Sequence, residues 1–155
     1  MNEKGAALND HDFMKALFDL VIPPSASEDL PGAGALGLEA AVATALQADP
    51  LLGPLVEAGA QAVREAALSQ HQKGLPGMAS EARTKVVEGQ LATHPLLIMG
   101  LSRYLYAAYY QHPRILECIG EPPRPPFPEG FDVEAIDAEL LEKLLARRVS
   151  GVRKE

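Results

Sequence analysis

Apolar residues return along this chain at three- and four-residue intervals, and nowhere do they alternate with polar ones over a sustained run. The first stripe is Phe13, Met14, Leu17, Phe18, Val21 and Ile22, whose 13/17/21 and 14/18/22 spacings draw a broad apolar face on one helix. Asn9-Asp10 supplies its N-cap and Pro23-Pro24 stops it. Residues 25–37 are rich in small side chains, turn at Pro31-Gly32, and read as a flexible loop. Glu39 to Ala48 forms a short alanine-rich helix that ends before Asp49-Pro50, because a residue preceding proline avoids the α region. Leu51 to about Gln72 is a longer helix, weakened early by Gly53-Pro54 and Gly59. Gly74-Leu75-Pro76-Gly77 turns the chain, and Ser80 caps a helix running from Glu81 to Thr93.

His94-Pro95 opens the most apolar helix, which carries Leu96, Leu97, Ile98, Met99, Leu101, Tyr104, Leu105, Ala108 and Tyr109 and should lie at the centre. Pro113 suits the first position of a short helix, and Gly120 suits its C′ position. The tract from Pro122 to Pro128 cannot be helical and reads as extended polyproline II. Asp132 then caps a last helix, with Ile136, Leu140 and Leu144 facing inward beside Val133 and Leu141. The pattern predicts an all-α chain: a compact single-domain helical bundle of about six helices over residues 1–155. Residues 1–8 and 150–155 should fray, and residues 121–131 form the proline-rich connector before the last helix.

Composition adjusts this picture at its margins. At 155 residues the chain is long enough for one core that needs no staples. Aromatics are 5% with no Trp, so Leu, Ala, Val, Ile and Met must fill the core, a set that favours helices. A net charge of −7 argues against nucleic acid as a partner. The one basic cluster, Arg147-Arg148 with Arg153-Lys154, complements a helix C-terminal dipole. A single cysteine, Cys118, excludes an internal disulfide and any multi-cysteine metal site. Its neighbours Ile115, Leu116 and Ile119 suggest a buried, inert thiol. The most apolar stretch, Pro95 to Met99, is too short to cross a bilayer, and no secretory signal is visible at Met1-Asn2-Glu3-Lys4-Gly5. Cytoplasmic residence is therefore expected, or a periplasmic one where a partner carries the chain across or a signal segment has been removed.

Candidate chemistry is thin. His11, His71, His94 and His112 fall near helix ends and turns, none at i, i+4 from another, so capping is their expected role. Gly32-Ala33-Gly34-Ala35-Leu36-Gly37 spells G-x-G-x-x-G, but a helix and two prolines precede it where a dinucleotide site needs a buried strand. No G-x-S-x-G elbow occurs. Carboxylates such as Glu28, Asp29, Glu81, Glu88, Asp137, Glu139 and Glu142 fall where caps and solvated faces want them. No catalytic, cofactor-binding or metal-ligating residues are expected.

The most unusual segment runs from Tyr109 to Gly120 and on through Pro122 to Pro128 and Gly130-Phe131-Asp132. Tyr104, Tyr106, Tyr109 and Tyr110 are the only tyrosines, with Tyr106 and Tyr110 on one helical face. Their rings either complete the core while the hydroxyls reach water, or join Phe127 and the prolines in an exposed anchor patch. Tyr106, Tyr109, Tyr110, Arg114 and Phe127 are the candidate partner contacts, Arg114 being suited to bidentate pairing with a carboxylate.

The order of these features resembles the gluconate 2-dehydrogenase subunit 3 family. The resembling segments are Leu20-Val21-Ile22-Pro23-Pro24, Pro31-Gly32-Ala33-Gly34-Ala35-Leu36-Gly37-Leu38, and Tyr109-Tyr110-Gln111-His112-Pro113-Arg114. The last runs on to Ile119-Gly120, Pro125-Pro126 and Gly130-Phe131, so the likeness covers roughly Asp12 to Asp132. The resemblance implies a non-catalytic small subunit of an FAD-dependent sugar or alcohol dehydrogenase. It would bind and stabilise a large flavoprotein subunit of the glucose–methanol–choline type, often accompanied by a cytochrome c subunit, and assist its maturation or export. FAD would sit on that partner, and this chain would bind no cofactor. Many relatives carry a twin-arginine signal, which this sequence does not show at its start. Two other classes fit the residues alone: a stand-alone helical enzyme using histidine and carboxylate chemistry, and a helical adaptor that forms a homodimer through its tyrosine-bearing face.

Overall fold

Asp10 begins the first helix as its sequence position predicts: its side-chain Oδ1 accepts the Phe13 N–H at 3.1 Å while its backbone stays extended. The structure, a computed structural model, describes residues 7–25 and 29–123. Six α-helices are described: α1 His11–Val21, α2 Glu39–Gln47, α3 Leu52–Gln70, α4 Ser80–Leu91, α5 Leu96–Tyr110 and α6 Pro113–Cys118. A short 3-10 turn at Ala7–Asn9 precedes α1, two more at Ala33–Ala35 and Leu75–Gly77 lie between helices, and no strand occurs among the described residues. The protein is all-α. The chain divides into two compact units, Met1–Pro125 and Pro126–Glu155. The predicted last helix, Phe127 and the tract from Arg124 onward lie outside the described residues.

The core is built around the crossing of α3 and α5, the pair in most extensive contact. Leu97, Leu101, Leu105 and Tyr109 recur every fourth residue on α5, and Val56, Ala60, Val63 and Ala67 do nearly the same on α3; all are buried. Two glycines set how closely the helices approach. A Cβ on Gly100 would lie 2.6 Å from Val56 Cγ2, and one on Gly59 would lie 2.9 Å from Leu97 Cβ. The glycine read as a weakness of α3 is thus a packing requirement. Burying each large aliphatic side chain stabilises the fold by about 1.5–3 kcal/mol, an upper estimate because unfolded chains are already partly compact.

α1 adds Phe13, Met14, Leu17 and Phe18 to this core, and Lys15 Nζ lies 3.9 Å from Oε1 of the buried Glu39 at the start of α2. The segment Pro31–Gly37 departs from expectation. It is a packed turn, because Asp19 on α1 accepts the Gly34 N–H at 2.8 Å and the Ile22 carbonyl accepts the Ala33 N–H at 3.0 Å. Ala33 is fully buried, and a Cβ on Gly32 or Gly34 would collide with the Asp19 carboxylate.

The cap positions of α1 and α6 make side-chain hydrogen bonds, whereas those of α2, α3, α4 and α5 make none, and α4 departs from expectation. Ser80 is the first residue of α4 instead of its cap; Ala79 holds the cap position with no side-chain bond. That turn is secured by Arg83, whose guanidinium donates to the carbonyls of Met78 (2.8 Å) and Pro76 (3.0 Å). α6 opens with Pro113 and closes with Gly120 at a positive φ of 81°. There the Glu121 N–H reaches the Leu116 carbonyl (2.8 Å) and the Gly120 N–H reaches that of Glu117 (3.1 Å), the paired bonds of a Schellman ending.

Candidate partner-binding surface

The four tyrosines of α5 divide into an inner and an outer pair. Tyr109 points into the core at 2% exposure, and its hydroxyl donates to the Pro31 carbonyl at 2.8 Å. Burial, and then the nearby Tyr110, push its phenol above the ordinary range. Tyr104 is half-buried, and its hydroxyl donates to Asp49 Oδ2 at 2.5 Å. The other oxygen of Asp49 accepts the N–H groups of Leu51 and Leu52, both at 2.9 Å, so one carboxylate starts α3 and anchors α5. The Tyr104 hydroxyl, followed by the Leu52 and Leu51 amides, holds the Asp49 carboxyl below its usual range. The same bond raises the Tyr104 phenol above its own. These two residues fix the rotation of α5 about its axis.

That rotation presents the outer pair. Tyr106 is 43% and Tyr110 52% exposed, and their rings stack with centroids 6.2 Å apart and planes 11° apart. Tyr110 also meets the edge of the buried Tyr109 ring, with centroids 5.2 Å apart at 85°. Met99, 61% exposed, continues the row toward the start of the helix, with exposed Arg103 between it and Tyr106. Ile119, just past α6, is 49% exposed. The result is an apolar and aromatic strip on a helix braced from behind, the composition that interface centres favour.

The sequence candidates fare differently. Tyr106 and Tyr110 lie on the exposed strip as their spacing predicts. Tyr109 does not: its ring fills the core between α5 and the Pro31 turn, so its role is structural. Arg114 is exposed at the start of α6, where its backbone N–H donates to His112 Nδ1 at 3.3 Å. Phe127 lies outside the described residues. Cys118, expected to be buried, is exposed, because Ile115 and Leu116 take the inward positions of a helix too short to bury a second face. Met99 and Arg103, also exposed on this face, were not among the sequence candidates. Their signal was legible, since positions 99, 103, 106 and 110 form a row offset from the core row 97, 101, 105 and 109.

The histidines do not gather. His112 caps α6, His71 Nδ1 accepts the Lys73 N–H at 3.1 Å, and His94 is half-buried against the Gly59 position. Among the described residues no group of three or more His, Cys, Asp or Glu side chains is placed to hold a metal ion. No helix among them is long and apolar enough to cross a membrane. One cleft of about 330 Å³, lined by His11, Glu39, Thr44 and Gln47 among others, contains the buried Glu39, whose Oε1 accepts no hydrogen bond. Comparison with protein-family models, curated proteins and solved structures finds no match for this chain.

Proposed function

We propose that the chain is a non-catalytic binding subunit that docks through the outer face of α5 onto a large FAD-dependent dehydrogenase of the glucose–methanol–choline type. The observation that carries the binding role is the strip of Met99, Tyr106 and Tyr110, exposed on a helix whose orientation is fixed by the Tyr104–Asp49 and Tyr109–Pro31 hydrogen bonds. A preset surface loses little conformational freedom on docking, so more of its contact energy appears as affinity. The identity of the partner rests on the sequence resemblance alone. Binding would stabilise the large subunit by mass action, since a ligand of the folded form alone draws the folding equilibrium toward it. The subunit would thereby assist maturation of the flavoprotein, or its export together with a cytochrome c subunit.

The test is co-expression of this chain with a large FAD-dependent dehydrogenase subunit of the glucose–methanol–choline type from the same source. With the chain present, soluble yield, bound flavin and dye-linked dehydrogenase activity of the large subunit should rise several-fold. Equal values with and without the chain would contradict the reading.

A further inference from the structure

The outer row of α5 complements itself. Positions 99, 103, 106 and 110 are spaced four, three and four apart, the d-a-d-a rhythm of a coiled-coil seam. Reversing a second copy of the helix about a point midway between Tyr104 and Leu105 pairs Met99 with Tyr110 of the other copy and Arg103 with Tyr106. Each of the four layers is then a favourable contact: thioether on aromatic ring twice, and guanidinium on aromatic ring twice. A parallel arrangement would instead set Arg103 against Arg103, like charge on like. The flanks suit close approach, since half-buried Ser102 and exposed Ala107 border the row on either side. In the single chain the Arg103 guanidinium carbon lies 5.9 Å from the Tyr104 ring centre. That contact uses one face of a planar group with two faces, so a second ring can take the other.

We infer that two copies of this chain associate through an antiparallel α5–α5 seam, with Met99 against Tyr110 and Arg103 against Tyr106. Antiparallel helices whose seam keeps this rhythm cross at about 20°, the angle that seats a and d side chains in the facing helix. Four layers from a single helix pair make a short seam, and interfaces below roughly 1,200 Å² are characteristically transient, so a weak and reversible pair is expected. The strip is the one assigned above to the flavoprotein. As a resting state that closes the strip until a large subunit displaces the second copy, the pairing rests on that reading; the pairing itself does not.

Sedimentation velocity on the full chain, from about 5 to 500 μM, should show a reversible rise from 16.5 kDa toward twice that mass. Tyr106→Lys, which sets a second cation against Arg103 of the other copy at a position 43% exposed, should keep the helical circular dichroism and weaken association at least tenfold. A mass of 16.5 kDa throughout, or a dimer indifferent to Tyr106→Lys, overturns the inference. Register is read separately in a Cys118→Ala background. Mild oxidation of mixed Met99→Cys and Tyr110→Cys chains should yield the 99–110 cross-link and leave each variant alone largely uncoupled. Preferential 99–99 or 110–110 cross-links overturn the antiparallel seam. A monomeric chain that still raises flavoprotein yield removes the pairing alone, whereas a dimer that leaves the yield unchanged removes the subunit reading alone.

Discussion

The inner and outer tyrosines of α5 share a helix, a residue type and nearly the same sequence neighbours, yet they do opposite work. Tyr109 and Tyr104 each spend their hydroxyl on a fixed acceptor, the Pro31 carbonyl and the Asp49 carboxylate. Tyr106 and Tyr110 turn their rings outward and stack on one another. Helical phase decides between them. A residue three or four positions from Leu105 or Leu101 falls on the core side, and a shift of one position carries the ring about 100° around the axis. The inner pair sets the aim of the helix, and the outer pair is what it aims.

If that division is right, substitutions on the two sides must separate stability from binding. The largest loss of stability is expected for Tyr109→Ala, which opens a cavity and strips the Pro31 carbonyl of its donor; about 3–5 kcal/mol should vanish from a urea titration. Next comes Gly100→Val. Its Cβ would meet Val56 Cγ2 at 2.6 Å, and the resulting strain should cost about 1–3 kcal/mol in spite of valine's better helix propensity. Tyr109→Phe keeps the ring and loses only the hydrogen bond, so about 1 kcal/mol is expected. Tyr106→Ala and Tyr110→Ala, on the exposed side, should each move stability by no more than about 0.5 kcal/mol. An outer substitution that destabilises as much as Tyr109→Ala would erase the distinction.

The Tyr104–Asp49 bond sharpens the comparison through pH. Asp49 keeps its charge to lower pH in the folded chain than its ordinary value of 3.8 allows in the unfolded one. The unfolded chain therefore binds the proton first, and stability falls as the pH drops through and below that value. Tyr104 holds its proton above its ordinary 10.0, so the same bond is lost as the pH rises beyond that point. Asp49→Asn should flatten both limbs of the stability profile, whereas Tyr104→Phe should flatten the alkaline limb and leave the part of the acid limb that the Leu52 and Leu51 amides supply. Unchanged limbs in both variants would show that this bond does not set the position of α5.

Much of the fold was legible because its signals are local. The stripe of α1, the Asp10 cap, the proline stop after Ile22, the Pro113 start and the Gly120 ending all act within a few residues, and each falls where the sequence put it. What escaped depends on contacts distant in sequence. Nothing near Pro31–Gly37 announces that Asp19 and Tyr109 will hold it, so a packed turn reads as a loose loop. Gly59 of α3 looks like a flaw until the crossing with α5 gives it a purpose. Tyr109 and Tyr110 are adjacent, and only the rotation of α5 shows which one is buried. The exposed Cys118 was misjudged because apolar neighbours in sequence were taken as neighbours in space.

The central claim is that the outer face of α5 is a recognition surface. The most direct measurement is the retention of a co-expressed flavoprotein dehydrogenase on the immobilised full chain, comparing the wild type with the Tyr106→Ala/Tyr110→Ala double variant. The account predicts that the wild type retains the flavoprotein with its FAD, while the double variant, equally folded by circular dichroism and urea titration, retains at most a tenth as much. Equal retention by both chains would contradict it.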